Sequence, residues 1–376
     1  MHPVRTAFAM EQALGHVTHY QNLRQFAERQ HDIAPIWLPI PFDVRGPAQV
    51  MPFLRNNWSV RASWRARREL DRTLSRTSLD AVVFHTQVTS LFSIPIMRRL
   101  PGVISLDATP INYDSVGQHY GHRPAGDGLL DRQKFRLSRS AFHAAVGLVT
   151  WSEWARRSLI QDYGVDAARV RVLAPGAAPA YFDIGRARDS AVARRPASRV
   201  RLLFVGADFR RKGGPLLLDA LRGRLGDDCE LHVVTRSEVP AQPNVVVHRD
   251  LHANSPALLD LFAQADVFVL PSHADCLAVV LMEATAAGLP VITTDIAALP
   301  EAVEPGESGL LVPSGNGFAL QQALTSLVYD ADRRQRMGRA GFALASRKFN
   351  AQHNNRALLD LVGELVANQV ASRRAA

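Results

Sequence analysis

Twelve apolar runs of four to eight residues, six in each half, limit what this chain can fold into more than any other feature. In the C-terminal half they are Arg201–Ala207, Glu230–Thr235, Asn244–His248, Val267–Leu270, Val291–Thr294 and Gly309–Pro313. In the N-terminal half they are Arg5–Met10, Ile33–Ile40, Asp80–His85, Gly102–Asp107, Val146–Trp151 and Val170–Pro175. Short runs rich in Val, Ile and Leu, mostly separated by helical segments, predict parallel strands buried on both faces. The expected class is therefore α/β, with two doubly wound domains. Residues 1–182 form the first, and 200–350 the second. Residues 183–199 lack apolar periodicity and read as a linker. Residues 351–376 read as a C-terminal helix free to cross back to the first domain. Two such domains facing each other imply a cleft, where ligands commonly bind.

Length agrees, since 376 residues suit two α/β domains better than one. The formal net charge of +9 favours anionic partners without choosing among nucleic acid, phosphorylated metabolites and lipid surfaces. Almost all the positive charge is arginine, because the only lysines are Lys134, Lys212 and Lys348. Two cysteines, Cys229 and Cys276, are too few for a disulfide framework and suit a reducing compartment. Glu11 interrupts the only apolar start, so no signal-peptide core is expected, and no run approaches a membrane span. These features predict a cytoplasmic protein.

Two stretches carry the chemistry. In PSHADCLAVVLMEATAAGLPVI, Pro271 to Ile292, a strand ends near Leu270 and a helix apolar nearly all round begins near Ala278. Gly288 and Pro290 stop that helix. Asp275 thus falls in the strand-to-helix turn and Glu283 inside the helix. A buried carboxylate needs a partner. For Glu283 that partner is either a core arginine or a polar ligand. The second stretch, FVGADFRRKGG, Phe204 to Gly214, leaves its strand through Gly206 and enters a helix after Gly213-Gly214. Arg210, Arg211 and Lys212 then sit in a loop at a strand's C-terminal end, where doubly wound sheets bind ligands. Neither a Walker loop nor a GxGxxG fingerprint is present.

These two stretches, followed by PEAVEPGESGLLVP from Pro300 to Pro313, resemble in order and spacing the retaining glycosyltransferases of family four. In the N-terminal half, Val149–Val165 and Arg171–Gly176 resemble that family's end-of-domain pattern. The resemblance implies the GT-B fold, two Rossmann-like domains with the active site between them. It implies transfer of a sugar from a nucleotide-diphosphate sugar to an acceptor hydroxyl, with retention and without a metal or other cofactor. UDP and GDP are equally open, and so is the acceptor. By the same resemblance Asp275 would accept from hydroxyls of the transferred sugar, and Glu283 from the ribose. The amides around Cys276, Leu277, Ala278 and Val279 would face the diphosphate, with Arg211 and Lys212 neutralising it and Gly206 shaping the loop. Another GT-B enzyme, such as a sugar-nucleotide epimerase or phosphorylase, stays open as an alternative, as does a non-catalytic sugar-nucleotide binder.

The sequence departs from the family at several positions. Asp275 stands where the family usually has glutamate, and Ala207 where many members have arginine. Asp107, in SLDATP, stands where many have a histidine beside the transferred sugar. The glycine-rich loop after the first strand is reduced to LGHVTH, Leu14 to His19, leaving Gly15 and His16 as candidates. His16 reads equally well as a helix cap. His85 reads as a satisfied histidine at a strand end. Asp330 and Asp332 imitate a metal-binding acid pair, but they sit beside Arg333, Arg334 and Arg336 in what reads as a helix start, which suggests charge pairing. No metal is expected. The basic segment 57–76, with Trp58 and Trp64, reads as a solvated helix face, with peripheral contact to the inner membrane face as the alternative. No nucleic-acid partner is expected, and the oligomeric state is open.

Overall fold

All twelve expected runs form strands in the computed structural model, which describes residues 2–13, 15–41, 43, 57–121, 124, 126, 128–190 and 199–375. The chain divides into two units. One comprises Met1–Ser115, Pro124–Ala174 and His353–Ala376; the other comprises Val116–Arg123 and Pro175–Gln352.

The first unit holds β1 (Val4–Gln12), β2 (Ile33–Pro41), β3 (Ala81–His85), β4 (Gly102–Leu106), β5 (Gly147–Thr150) and β6 (Val170–Val172). They form a sheet in the order β2-β1-β3-β4-β5-β6, and every pairing is parallel. Phe8 lies opposite Trp37 on β2 and Val83 on β3, and Ile104 opposite Phe84 and Leu148. Successive residues point to opposite faces, so these continuous apolar strands need cover on both sides. One face, with Ala7, Phe84 and Ile104, packs against the helices Trp58–Leu74 and Leu129–Ala144. The other, with Phe8, Met10 and Val83, packs against the helix His16–Ala27. Leu358, Leu359, Leu361 and Val362 of the last helix, Ala351–Ala375, complete that second layer.

The second unit holds β7 (Val200–Val205), β8 (Cys229–Val234), β9 (Val245–His248), β10 (Val267–Leu270), β11 (Val291–Thr294) and β12 (Gly309–Val312). They too are parallel, in the order β12-β11-β10-β7-β8-β9. The helix Val279–Ala286 is buried at every position except Val280, as its uniform apolarity requires. The helix Pro256–Gln264 starts where Ser255 accepts the Leu258 amide, with Pro256 in its first turn.

The expected linker 183–199 is corrected in part. A helix spans Pro179–Ser190, and residues 191–198 lie outside the described residues. Its buried face is Tyr181, Phe182 and Gly185. A Cβ on Gly185 would run into the Ala286 carbonyl oxygen, so the glycine permits a close helix crossing that hydropathy does not register. Arg188 then donates to the carbonyls of Phe262, Ala265 and Ala287 at 2.8, 3.0 and 3.0 Å. One guanidinium thereby satisfies the C-terminal carbonyls of two helices, where a positive charge is also favoured by their dipoles.

Candidate functional site

An open parallel sheet leaves a crevice at the carboxyl ends of the two strands where its order reverses. In the second unit those strands are β7 and β10, and the two sequence stretches singled out above leave from them. Gly206 follows β7, and a Cβ there would come within 2.9 Å of Lys212 Cγ. Gly213 has φ +80° and sits against the Pro271 carbonyl oxygen, where a Cβ has no room. The glycines thus let the basic loop fold back onto the end of β10.

There Lys212 Nζ is hydrogen-bonded and ion-paired to Asp275 Oδ2. Arg211 Nη1 lies 4.0 Å from the same oxygen and donates to the Ala274 carbonyl at 2.6 Å. Asp208, half exposed, lies 3.4 Å from Arg211 Nε. Arg211 also donates to the Tyr120 hydroxyl at 3.1 Å, with its guanidinium carbon 4.3 Å from the ring centroid. His119 and His273 stack beside this contact at 5.7 Å. Arg211 and Asp275 are both buried, so two cations share a single buried acid.

The helix Val279–Ala286 starts immediately beyond. Ala278 is its N-cap, and no side chain caps it. Its first-turn amides carry the positive end of the helix dipole without a side-chain cap, and the Leu281 amide turns back to the Ala278 carbonyl at 3.0 Å. Cys276, Leu277, Ala278 and Val279 are all buried there. Glu283 lies one turn further in, and among the described residues no arginine or lysine pairs with it, which removes the core-arginine alternative. Burial pushes its carboxyl up to about 7, only partly offset by the Tyr181 hydroxyl. That hydroxyl is itself pushed up by burial and makes no hydrogen bond of normal geometry.

In the first unit the order reverses between β1 and β3, and a second polar cluster sits at their ends. Gly15 is the N-cap of His16–Ala27, and no side chain makes a capping bond, so His16 is not a cap. Leu14 lies outside the described residues. His16 Nδ1 is 2.9 Å from His85 Nε2, and His16 Nε2 is 3.9 Å from Asp107 just after β4. His85 Nδ1 is 3.3 Å from Ser105 Oγ, and the His85 ring stacks on Trp151 at 5.2 Å. His19 packs against both rings, 4.8 Å from His85 and 5.3 Å from Trp151, with both ring nitrogens unpartnered. Burial, with His16 adding to it, lowers His19 to about 3; burial, with His19 and His16, also holds His85 well below the ordinary range. Glu11, at the end of β1, accepts from Trp58 Nε1 at 3.0 Å and Thr86 Oγ1 at 2.6 Å.

Of the residues singled out in the sequence as one site, Arg211, Lys212 and Asp275 meet at the ends of β7 and β10, with Glu283 in the helix that follows, while His16 and Asp107 meet at the end of the first unit's sheet. Tyr120, His19, Trp151 and Tyr181, which pack beside these residues, were not singled out. Tyr120 is separated from Arg211 by 91 positions, and no motif surrounds it. Asp330 is corrected: its side chain accepts the Arg333 amide at 2.8 Å as the N-cap of Ala331–Lys348. Arg334 donates to the carbonyls of Leu327 and Val328 rather than to an acid. Among the described residues no group of three or more acids, histidines or cysteines could hold a metal ion.

Residues 15–181 match the family model described as Glycosyltransferase Family 4, and residues 199–330 the model described as Glycosyl transferases group 1. Among curated relatives, the D-inositol 3-phosphate glycosyltransferase of Corynebacterium diphtheriae is 28% identical over 64% of this chain and 63% of that protein. The one from Paenarthrobacter aurescens is 31% identical over 66% and 65%. The chain thus spans just under two thirds of the length of these relatives. Among solved structures, sucrose-phosphate synthase from Thermosynechococcus elongatus has a TM-score of 0.75 at 16% identity, covering 97% of this chain and 100% of that one. Anabaena HepE in complex with UDP and glucose has a TM-score of 0.66 at 16% identity, covering 96% and 100%. At such identities these structures establish the fold, which is GT-B.

Proposed function

The chain belongs to glycosyltransferase family four, and we propose that it transfers a sugar from a nucleoside-diphosphate sugar to an acceptor hydroxyl, with retention and without a metal. The observation that carries this reading is the meeting of Arg211, Lys212 and an uncapped helix N-terminus around Asp275 at the β7/β10 reversal. The bond that breaks joins the anomeric carbon to a phosphate oxygen. Negative charge grows on the departing diphosphate, and preorganised donors aimed at it lower the barrier. Lys212, Arg211 and the first-turn amides are those donors. The acceptor hydroxyl attacks from the same face, and its proton passes to the departing phosphate oxygen. On this route no separate general base is required.

In the free site Lys212 is held by Asp275, so donor binding exchanges partners. The diphosphate takes Lys212, and Asp275 turns to hydroxyls of the transferred sugar. Glu283 accepts from the ribose. Asp107 stands in for the family's histidine, with His16 beside it at 3.9 Å. HepE is described with UDP, and the curated relatives act on D-inositol 3-phosphate; these are the donor base and acceptor to try first.

The test is donor turnover with EDTA present, across UDP- and GDP-sugars, with and without acceptor. Wild type should release nucleoside diphosphate, slowly to water and faster with acceptor. Lys212→Ala should cut turnover about a hundredfold, as loss of a transition-state donor does elsewhere. Near-normal turnover in that variant, or activity that EDTA abolishes and magnesium restores, would overturn the leaving-group assignment. An unchanged nucleotide with an altered sugar would point to an epimerase.

A further inference from the structure

We propose that the outer faces of two basic helices in the first unit, Trp58–Leu74 and Leu129–Ala144, form a docking surface for an anionic lipid bilayer. Both helices bury small or apolar residues in one core layer, Ala62, Ala66 and Leu70 from the first, Ala141 and Phe142 from the second. Their opposite faces therefore turn outward on the same side of the sheet.

On the first helix, Trp64, Arg68, Asp71, Arg72 and Ser75 recur at helical spacing and, with Arg67, form an open surface patch. Trp64 is 46% exposed, and the Arg68 guanidinium lies 5.4 Å from its ring centroid. Arg67 and Arg72 pair with Asp71 and Glu69 at exposed positions, where such pairs hold weakly. Arg68 has no acid partner among the described residues. On the second helix, Leu129 and Leu130 are 78% and 69% exposed in the first turn. Arg132, Lys134, Arg136 and Arg139 are exposed along the same helix.

Exposed leucines and a tryptophan set among arginines match a helix lying in a lipid interface, apolar groups dipping below the headgroups and cations meeting their phosphates. A nucleic acid would satisfy the arginines but leave Leu129 and Leu130 in water, and so fits less well. No described helix is long and apolar enough to cross a membrane, so the contact is peripheral.

The full chain should co-sediment with vesicles of phosphatidylcholine containing one part in three phosphatidylglycerol, but not with phosphatidylcholine alone. Raised salt should release it. Leu129→Glu with Leu130→Glu, which removes inserted apolar area and adds repelled charge, and separately Arg68→Glu, which reverses a cation, should each weaken binding about tenfold. All three side chains are exposed, so the melting temperature should not move. No binding to anionic vesicles, equal binding to neutral ones, or binding untouched by both variants would overturn the proposal. So would tighter binding to a single-stranded oligonucleotide than to the vesicles.

Discussion

Burial penalises the charged form of Glu283 and pushes its carboxyl up to about 7, so the proposed contact with the ribose predicts a pH dependence for nucleotide binding. Ribose hydroxyls donate hydrogen bonds, so the ligand favours the carboxylate. Below about 7 a proton must leave first, and only the deprotonated fraction binds well. Affinity for the sugar-free nucleoside diphosphate should therefore fall roughly tenfold from pH 8 to pH 6. Glu283→Gln should bind weakly throughout and lack that component, which separates it from ionisation of the phosphate. Asp275→Asn should leave sugar-free binding largely intact, since it frees Lys212, yet depress transfer. Titration calorimetry of both variants settles the division: equal weakening by the two would show that it is wrong.

At the scale of elements, all twelve strands were legible because buried parallel strands announce themselves as short apolar runs between helices. The helix Pro179–Ser190 was not. Its contact rests on Gly185 and on a guanidinium used as a helix cap, and both register as polar or neutral in sequence. The donor loops were readable because glycines and cations cluster within a dozen positions. Tyr120 was not, since only the folded chain brings it to Arg211. Asp330 shows how composition misleads, for three nearby arginines suggested ion pairing where the side chain instead caps a helix. Asparagine caps as well as aspartate, so Asp330→Asn should be close to silent, while Asp330→Ala should cost about 1 kcal/mol. Denaturant melts of the two variants check this, and equal losses would restore the charge-pairing explanation.

At the scale of the whole molecule, acid should affect the two units in opposite senses. In the first, His19 and His85 are lowered by burial, so the unfolded chain binds protons that the folded unit does not as pH drops below about 6.5. Each then removes about 1.4 kcal/mol per pH unit. In the second, Glu283 is raised, so the folded unit binds the extra proton between pH 7 and its ordinary range and gains stability on the same descent. His248 and His273, lowered but partly exposed, oppose that gain weakly. Calorimetry from pH 7.5 to 5 should show one transition falling relative to the other, and His19→Phe should roughly halve its slope. Transitions that move in parallel would contradict the assignment. The last helix carries a different consequence. Leu358, Leu359, Leu361 and Val362 belong to the core of the unit that starts at the first residue. On a ribosome the nascent sheet of the first unit must wait, one face covered only in part by the helix His16–Ala27, until the helix Ala351–Ala375 emerges. Pro175–Gln352, by contrast, is already complete apart from a strap made earlier. The first unit's sheet is made before the second's, yet the second unit is the one able to finish first.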